Sequence, residues 1–316
     1  MEGHAHPPIV VVNPVASRVS ESSRRDRLVE SVVAAVEART GETPIVVAAS
    51  PEAAREALAL AGAGAAPLVV VVGGDGTIRE AASVLAGTSV PMAIVPAGTG
   101  NVFAAALGIP RGAVDAVRLI GEGRPVAVDL GSATWGGIVA GRQLDPEGSM
   151  AFAVACGIGF DARVMSTAST ELKRRLGFFA YVVATLREAT RLRQVAFRIE
   201  ADDEVHEVNG LVVLVANCGQ LIPGLIGPRH PIDPTDGLLD VIVVTARGIP
   251  GGLVGAAESL LAGGTPHRLP RSLRVRASRV RVVAEPREPV QIDGDAYEAD
   301  WLEAAVQPGA ITILRP

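Results

Sequence analysis

The chain is expected to fold in the α/β class, and three observations predict it. In the N-terminal part, short apolar runs alternate with helical stretches. In the longer remainder, period-two apolar alternation recurs with few helices. The first pattern reads as a parallel sheet with helices on both faces, and the second as an antiparallel sandwich. The third observation is size: 316 residues with 48% hydrophobic content can fill two cores. The expected architecture is a three-layer α/β domain over residues 1–123 and a C-terminal antiparallel β-sandwich domain over residues 124–316. The extreme C-terminus is free to pack back on the first domain.

Residues 8–12 are a short apolar run and read as a strand. Residues 19–39 alternate arginine and glutamate with apolar residues and read as a helix. A strand at 44–47 leads to a helix at 51–61, which starts with Pro51 behind Ser50. Residues 68–72 are a continuous apolar strand, with a helix expected at 77–85. A strand at 91–95 and helices at 102–107 and 115–120 complete the first domain.

Beyond residue 123, strands are expected at 126–133, 149–156, 194–201, 207–215, 238–244, 273–276, 280–283 and 290–292. Val195, Phe197 and Ile199 show the alternation. Two helices interrupt them. In residues 171–193, Leu172, Leu176, Phe179 and Leu186 share a face, with Lys173, Arg174, Arg175, Arg187 and Arg191 beside them. That stretch reads as a packed surface helix, or as an apolar wall for an acyl tail with arginines near anionic head groups. Residues 251–262 form the second, followed by a basic loop at 265–271 whose His267 reads as a solvent-exposed residue.

A formal net charge of −5 argues against a general nucleic-acid binder, which needs a broad cationic surface. Cys156 and Cys218 are far apart and outside metal-type spacing, so thiols in a reducing cytosol are expected. The N-terminus lacks signal-peptide character, and no apolar run reaches membrane-spanning length. The expected location is therefore cytoplasmic.

The residues with most chemical content sit at strand ends. After the run at 68–72 come Gly73, Gly74, Asp75, Gly76 and Thr77. Glycines let a backbone approach a ligand or take up positive φ, and Asp75 stands at the carboxyl end of a strand, where open α/β sheets bind ligands. Thr77 can cap the next helix, and Glu80 has capping-box spacing to it. A purely structural turn is the alternative. Asn13, Ser17 and Arg18 follow the first strand and offer groups suited to phosphate oxygens. Gly98, Thr99, Gly100 and Asn101 follow another strand. No Walker A loop and no spaced-glycine dinucleotide fingerprint is present. In the second domain Asp233, Asp236 and Asp240 lie in one short segment, readable as a hard-cation site or as an Asp-Gly turn. Asp293, Gly294 and Asp295 form another acid pair at a strand end, readable as a hydroxyl-orienting or Mg²⁺-holding group or as a hairpin turn.

In order and spacing, these residues resemble the diacylglycerol kinase catalytic-domain family, which includes bacterial lipid kinases, sphingosine kinases and ceramide kinase. The matching set runs from Asn13-Pro14 through the Gly73 to Thr77 turn and Gly98-Thr99-Gly100-Asn101. It continues through Gly157-Ile158-Gly159-Phe160-Asp161-Ala162 to Asp236-Gly237-Leu238 and Asp293-Gly294-Asp295. The resemblance implies an ATP-binding first domain and a lipid-binding second domain, with the cleft between them as the ligand site. ATP would lie against Asn13, Ser17, Arg18, Ser50, Gly73, Gly74, Asp75, Gly76, Thr77, Ile78, Arg79, Glu80 and Thr99. Mg²⁺ would lie on Asp233, Asp236 and the carbonyl of Leu238. Asp75 would hold catalytic Mg²⁺ or orient the acceptor hydroxyl, and Asp295 would be the general base. The chain departs from the family at three positions: Asp295 replaces the usual glutamate, Val102 a common aspartate and Arg79 a commoner asparagine.

The implied function is ATP- and Mg²⁺-dependent phosphorylation of a lipid hydroxyl of diacylglycerol or sphingoid type. The implied partners are a lipid at the membrane surface and no nucleic acid, with a homodimer left open. Two other readings stay open: a soluble-metabolite kinase of the NAD kinase type, whose members share the Gly73 to Thr77 turn, and a lipid-binding module with decayed catalysis.

Overall fold

The computed structural model describes residues 6–16, 21–48, 50–139, 142–143, 145–159, 194–219, 232–244 and 273–316. Ser17, Arg18, Phe160, Asp161, Ala162, His267 and the helices expected at 171–193 and 251–262 lie outside the described residues. The chain divides into two compact units. The first comprises residues up to Leu130 with Pro308–Pro316, and the second Gly131–Gln307.

The first unit begins β1 (Ile9–Val12), α1 (Ser22–Thr40), β2 (Ile45–Val47), α2 (Pro51–Ala63), β3 (Val69–Gly73), α3 (Asp75–Leu85) and β4 (Pro91–Pro96). It continues with α4 (Val102–Ala106), α5 (Ala113–Glu122) and the first part of β5 (Arg124–Gly136). The sheet is parallel in the order β2-β1-β3-β4, with Ile9 opposite both Ile45 and Val69, and Gly73 opposite Pro96. Every residue of β1 and β3 is buried, as the continuous valine runs require of strands covered on both faces. Val10, Val12, Val70, Val72, Ala93 and Val95 share one core with Val32 and Val36 of α1 and Ala116 and Ile120 of α5. Alternate residues such as Ile9, Val69 and Met92 point to the other face. Arg39, in the last turn of α1, donates to the carbonyls of Ile120, Gly121 and Gly123 at 2.9, 3.0 and 3.2 Å. It thereby satisfies carbonyls that the end of α5 leaves unpaired.

The second unit holds the rest of β5 with β6 (Ile138–Val139), β7 (Arg142–Gln143), β8 (Gly148–Phe152), β9 (Ala155–Gly159) and β10 (Val195–Ala201). It also holds β11 (Glu204–Gly210), β12 (Val212–Ala216), β13 (Leu239–Val244), β14 (Leu273–Ala277), β15 (Arg279–Ile292) and most of β16 (Asp295–Arg315). Its strand pairs are antiparallel. Phe152, Cys156, Ile158, Phe197, Ile199, Val213, Val241, Val282, Val290 and Leu302 belong to one core.

Several expected boundaries are corrected. The single strand expected at 149–156 is two strands, because the chain bends at residues 153–155 to aim its amides at Asp293. The strand expected at 207–215 is likewise two, β11 and β12, parted at Leu211. The strands expected at 280–283 and 290–292 form one long β15, whose register shifts between Val283 and Glu288. Unread in the sequence was β16, the longest strand among the described residues, whose Thr312 and Ile313 run parallel to Pro91 and Met92 within the first unit.

Candidate active site

In the order β2-β1-β3-β4 the chain departs from β1 in both directions, so the switch point lies between β1 and β3. Ligands of open α/β sheets bind at that crevice, at the carboxyl ends of the strands. Asn13 leaves β1 there. Its Nδ2 donates to Thr77 Oγ1 at 2.8 Å, while its Oδ1 accepts the Val15 amide at 3.1 Å. The two loops either side of the switch point are thus tied through one amide side chain.

The glycines work by close approach and not by unusual dihedrals. Gly74 has φ −96°, and none of Gly73, Gly74, Gly76, Gly98 or Gly100 has positive φ. A Cβ on Gly98 would stand 2.5 Å from the Gly74 Cα, and one on Gly73 would stand 2.7 Å from the Thr77 Cβ. The turn after β3 and the turn after β4 therefore stack backbone on backbone, joined by the Ala97 amide donating to Gly73 O at 2.8 Å. Asn101, fully buried and in the left-handed region at φ 51°, locks the second turn by accepting from Gly98 N at 3.0 Å and donating to Gly98 O at 2.7 Å. The sequence places Asn101 in the motif after β4 but gives it no ligand contact; the structure shows it closing its own loop. Gly76 differs: it is exposed, and a Cβ there would meet nothing within 4 Å.

The expected capping box is corrected. The helix starts at Asp75, with Gly74 at its N-cap and no side-chain cap. Thr77 is a first-turn residue bonded to Asn13, and Glu80 reaches sideways to pair with Arg55 of α2. The Ile78 side chain is fully buried, and its amide is committed to Gly74 O at 3.0 Å. Ser50 caps α2, accepting the Ala53 amide at 3.4 Å. Thr99 is exposed and Arg79 half-buried.

Asp75 is half-buried and faces the start of α4, where the Phe103 amide donates to Oδ1 at 3.2 Å. Burial pushes its carboxyl above the ordinary aspartate range, and the amides of Phe103, Val102 and Asn101 pull it partway back.

In the second unit, the acid segment before β13 is a built turn. Asp233 Oδ1 accepts from the Thr235 amide at 3.1 Å and its hydroxyl at 2.7 Å. Asp236 Oδ1 accepts the Leu238 amide at 3.0 Å, and Oδ2 pairs with Arg276. Buried Asp240 pairs with Arg274. Among the described residues, no three His, Cys, Asp or Glu side chains converge as metal ligands. Two carboxylates and a carbonyl are nonetheless the hard-oxygen donors that Mg²⁺ accepts.

The β15–β16 hairpin turns through Asp293 (φ 45°) and Gly294 (φ 99°), with Ile292 opposite Asp295. Two successive positive φ values are those of a type I′ turn. Asp295 is the first residue of β16 and is exposed. Asp293 points inward, and its carboxylate accepts the amides of Ala153, Val154 and Ala155 at 2.7, 3.0 and 2.9 Å.

Comparison with known proteins follows this division of the chain. Residues 7–133 match the family described as the diacylglycerol kinase catalytic domain. Residues 154–315 match the YegS C-terminal NAD kinase beta sandwich-like domain. A "Probable lipid kinase YegS-like" of Pseudomonas aeruginosa is 32% identical over 218 residues, covering 68% of this chain and 64% of that protein. One from Stenotrophomonas maltophilia is 29% identical over 218 residues, covering 68% and 65%. The chain thus spans under two thirds of the length of these curated relatives. Among solved structures, a diacylglycerol kinase from Bacillus anthracis str. Sterne superposes with TM-score 0.76 at 23% identity, covering 98% of this chain and 97% of that one. Yeast NADH kinase superposes with TM-score 0.55 at 12% identity, covering 99% and 84%. Both likenesses concern the fold. The family matches and the identity to the relatives establish that the chain belongs to the diacylglycerol kinase catalytic-domain family, with the C-terminal domain of its YegS-like members.

Proposed function

We propose that the chain is an ATP- and Mg²⁺-dependent lipid kinase, transferring the γ-phosphoryl group to the hydroxyl of a diacylglycerol- or sphingoid-type lipid. One observation carries the reading. At the switch point an uncapped helix N-terminus begins at a turn whose exposed Gly76 has free space above it. Among the described residues nothing demands glycine at that position, whereas a phosphate drawn to the first-turn amides of α3 does. Ser50, Thr99, Arg79 and, outside the described residues, Ser17 and Arg18 complete the proposed ATP site.

Phosphoryl transfer depends mainly on alignment and charge neutralisation, which Mg²⁺ with the nucleotide supplies. Asp75 keeps a half-buried carboxyl at a strand end, where burial raises it above the ordinary aspartate range, an environment common among catalytic acids. It orients the acceptor or holds Mg²⁺, and Asp295 accepts the hydroxyl proton. Asp233, Asp236 and the Leu238 carbonyl would hold a structural Mg²⁺, with Asp236 exchanging its pairing with Arg276 for the cation. No helix among the described residues is long and apolar enough to cross a membrane. The proposed enzyme is cytoplasmic and meets its lipid peripherally, at the membrane surface.

The test is transfer of label from γ-labelled ATP to a panel of diacylglycerol, sphingosine and ceramide in mixed micelles, with NAD as a separate arm. Label in a lipid supports the reading. Label in NAD alone favours the metabolite-kinase reading, for which the turn from Gly73 to Thr77 is the supporting observation. ATP binding without label in any acceptor favours a decayed module.

A further inference from the structure

Asp295 is the proposed base, yet it stands on a hairpin tip, and such tips are ordinarily the least ordered part of a sheet. The tip in this chain is clamped from below. Asp293 takes three consecutive amides of the bend at residues 153–155, two on Oδ1 and one on Oδ2. Its own amide donates back to Ala155 O at 2.9 Å. Gly294 N donates to Gln291 Oε1 at 3.1 Å, and Gln291 is buried. The bend is held in turn by the end of β12. The Asn217 amide donates to Val154 O at 2.9 Å, and Asn217 Nδ2 donates to Ala153 O at 3.0 Å.

Three successive amides pointing at one spot form an anion nest, and here the anion is a side chain of the protein. Turn chemistry does not demand it. A type I′ turn is satisfied by Asn-Gly as well as by Asp-Gly. An asparagine at 293 would keep the left-handed φ but present an NH₂ group to one of the three donors. The need for aspartate comes from the nest.

We propose that Asp293 is the positioning residue for Asp295: its carboxylate, seated in the amide nest of residues 153–155, fixes the hairpin tip so that the Asp295 carboxylate is presented to the acceptor. This rests on the reading of Asp295 as base. Loosening the tip misplaces the base without touching the nucleotide site. Misplacement of about 1 Å lowers turnover on the order of 10²-fold.

The experiment is a double-mutant cycle on kcat with Asp293→Ala, Asp293→Asn, Asp295→Ala and the Asp293→Ala/Asp295→Ala pair. The acceptor is dioleoylglycerol or sphingosine in mixed micelles, and each variant is assayed well below its melting midpoint. Asp293→Ala and Asp293→Asn are each expected to lose about 10²-fold in kcat with little change in the KM for ATP. In the Asp295→Ala background, Asp293→Ala is expected to cause no further loss, since residues acting as a unit are non-additive. Added formate, which fits the vacated nest, should restore part of the Asp293→Ala turnover and leave wild type unchanged. Losses that multiply in the pair overturn the positioning role while leaving Asp295 as base, as does full activity in Asp293→Asn. Full activity in Asp295→Ala, or transfer to neither lipid, overturns the reading of Asp295 and the inference with it. Should Asp293→Ala fail to fold, Asp293→Asn alone runs the same cycle.

Discussion

The turn after β3 and the turn between β15 and β16 each set an aspartate beside a glycine, and the two hold their acids in opposite ways. At Asp75 the carboxyl is half-buried and its charge is disfavoured, with the α4 amides offsetting burial only in part. At Asp293 the carboxylate is fully enlisted by three amides. The first is a charge kept against the interest of stability, and the second is a charge that organises structure. Position in a motif did not separate them. What each oxygen touches does.

The largest expected effect that sharpens this contrast is at Asp75. Asp75→Asn keeps an oxygen for the Phe103 amide and removes the charge. It should lower phosphoryl transfer by about 10²–10³-fold, the scale of losing one preorganised electrostatic group. Its stability should move the other way. A carboxyl raised in the folded state contributes stability below its unfolded pKa and loses it as pH rises through the folded value. The variant should therefore melt at or above wild type at pH 7, and the difference should shrink below about pH 4, where the wild-type acid is neutral as well. A variant that melts well below wild type at neutral pH would make Asp75 a structural acid.

Next in size is the stacked glycine pair. Gly98→Ala drives a methyl into the Gly74 Cα and should cost about 1–3 kcal/mol in unfolding free energy, the range for overpacking. Denaturant unfolding at unchanged m-value checks it. A loss of only a few tenths would mean the two turns do not touch in solution.

A smaller effect is expected at the acid turn before β13. If Mg²⁺ lies on Asp233, Asp236 and Leu238, the cation raises the melting midpoint of wild type by binding the native state alone. Asp236→Ala should abolish that rise, while the turn also loses its pairing with Arg276. Equal Mg²⁺-dependent shifts in the two proteins would remove the metal from this loop.

The smallest effect should come from Glu80. Its pair with Arg55 is a surface ion pair, so Glu80→Gln should change stability by roughly 0.5 kcal/mol or less. ATP affinity should stay near wild type. A large loss of affinity would return Glu80 to the nucleotide site.

β1 and β3 were legible because buried parallel strands are written as continuous β-branched runs, and β3 and β4 end in glycine and proline. The strands of the second unit were most legible where alternation ran unbroken, as in β10. At residues 149–156 the apolar content continued through a bend, and only a contact with Asp293, far along the chain, breaks the strand. In β16 the apolar residues are separated by Gln307, Pro308 and Gly309, so a strand that passes from one unit to the other went unread. Within the candidate site, the residue types and spacing were readable, but their division of labour was not. The sequence gives no sign that Gly98 answers to Gly74 while Gly76 answers to open space. Nor does it show that Thr77 bonds Asn13 in place of capping α3.

That last division carries the central claim, that the turn after β3 is shaped for the phosphates of a nucleotide. The most direct measurement is calorimetric binding of Mg²⁺·ATP to wild type and to Gly76→Ala, with melting midpoints taken alongside. The account predicts that Gly76→Ala melts within a degree or two of wild type, since its methyl meets no protein atom. It also predicts ATP affinity weaker by about tenfold or more, equivalent to about 1.4 kcal/mol. Unchanged ATP affinity in a stable Gly76→Ala protein would contradict it.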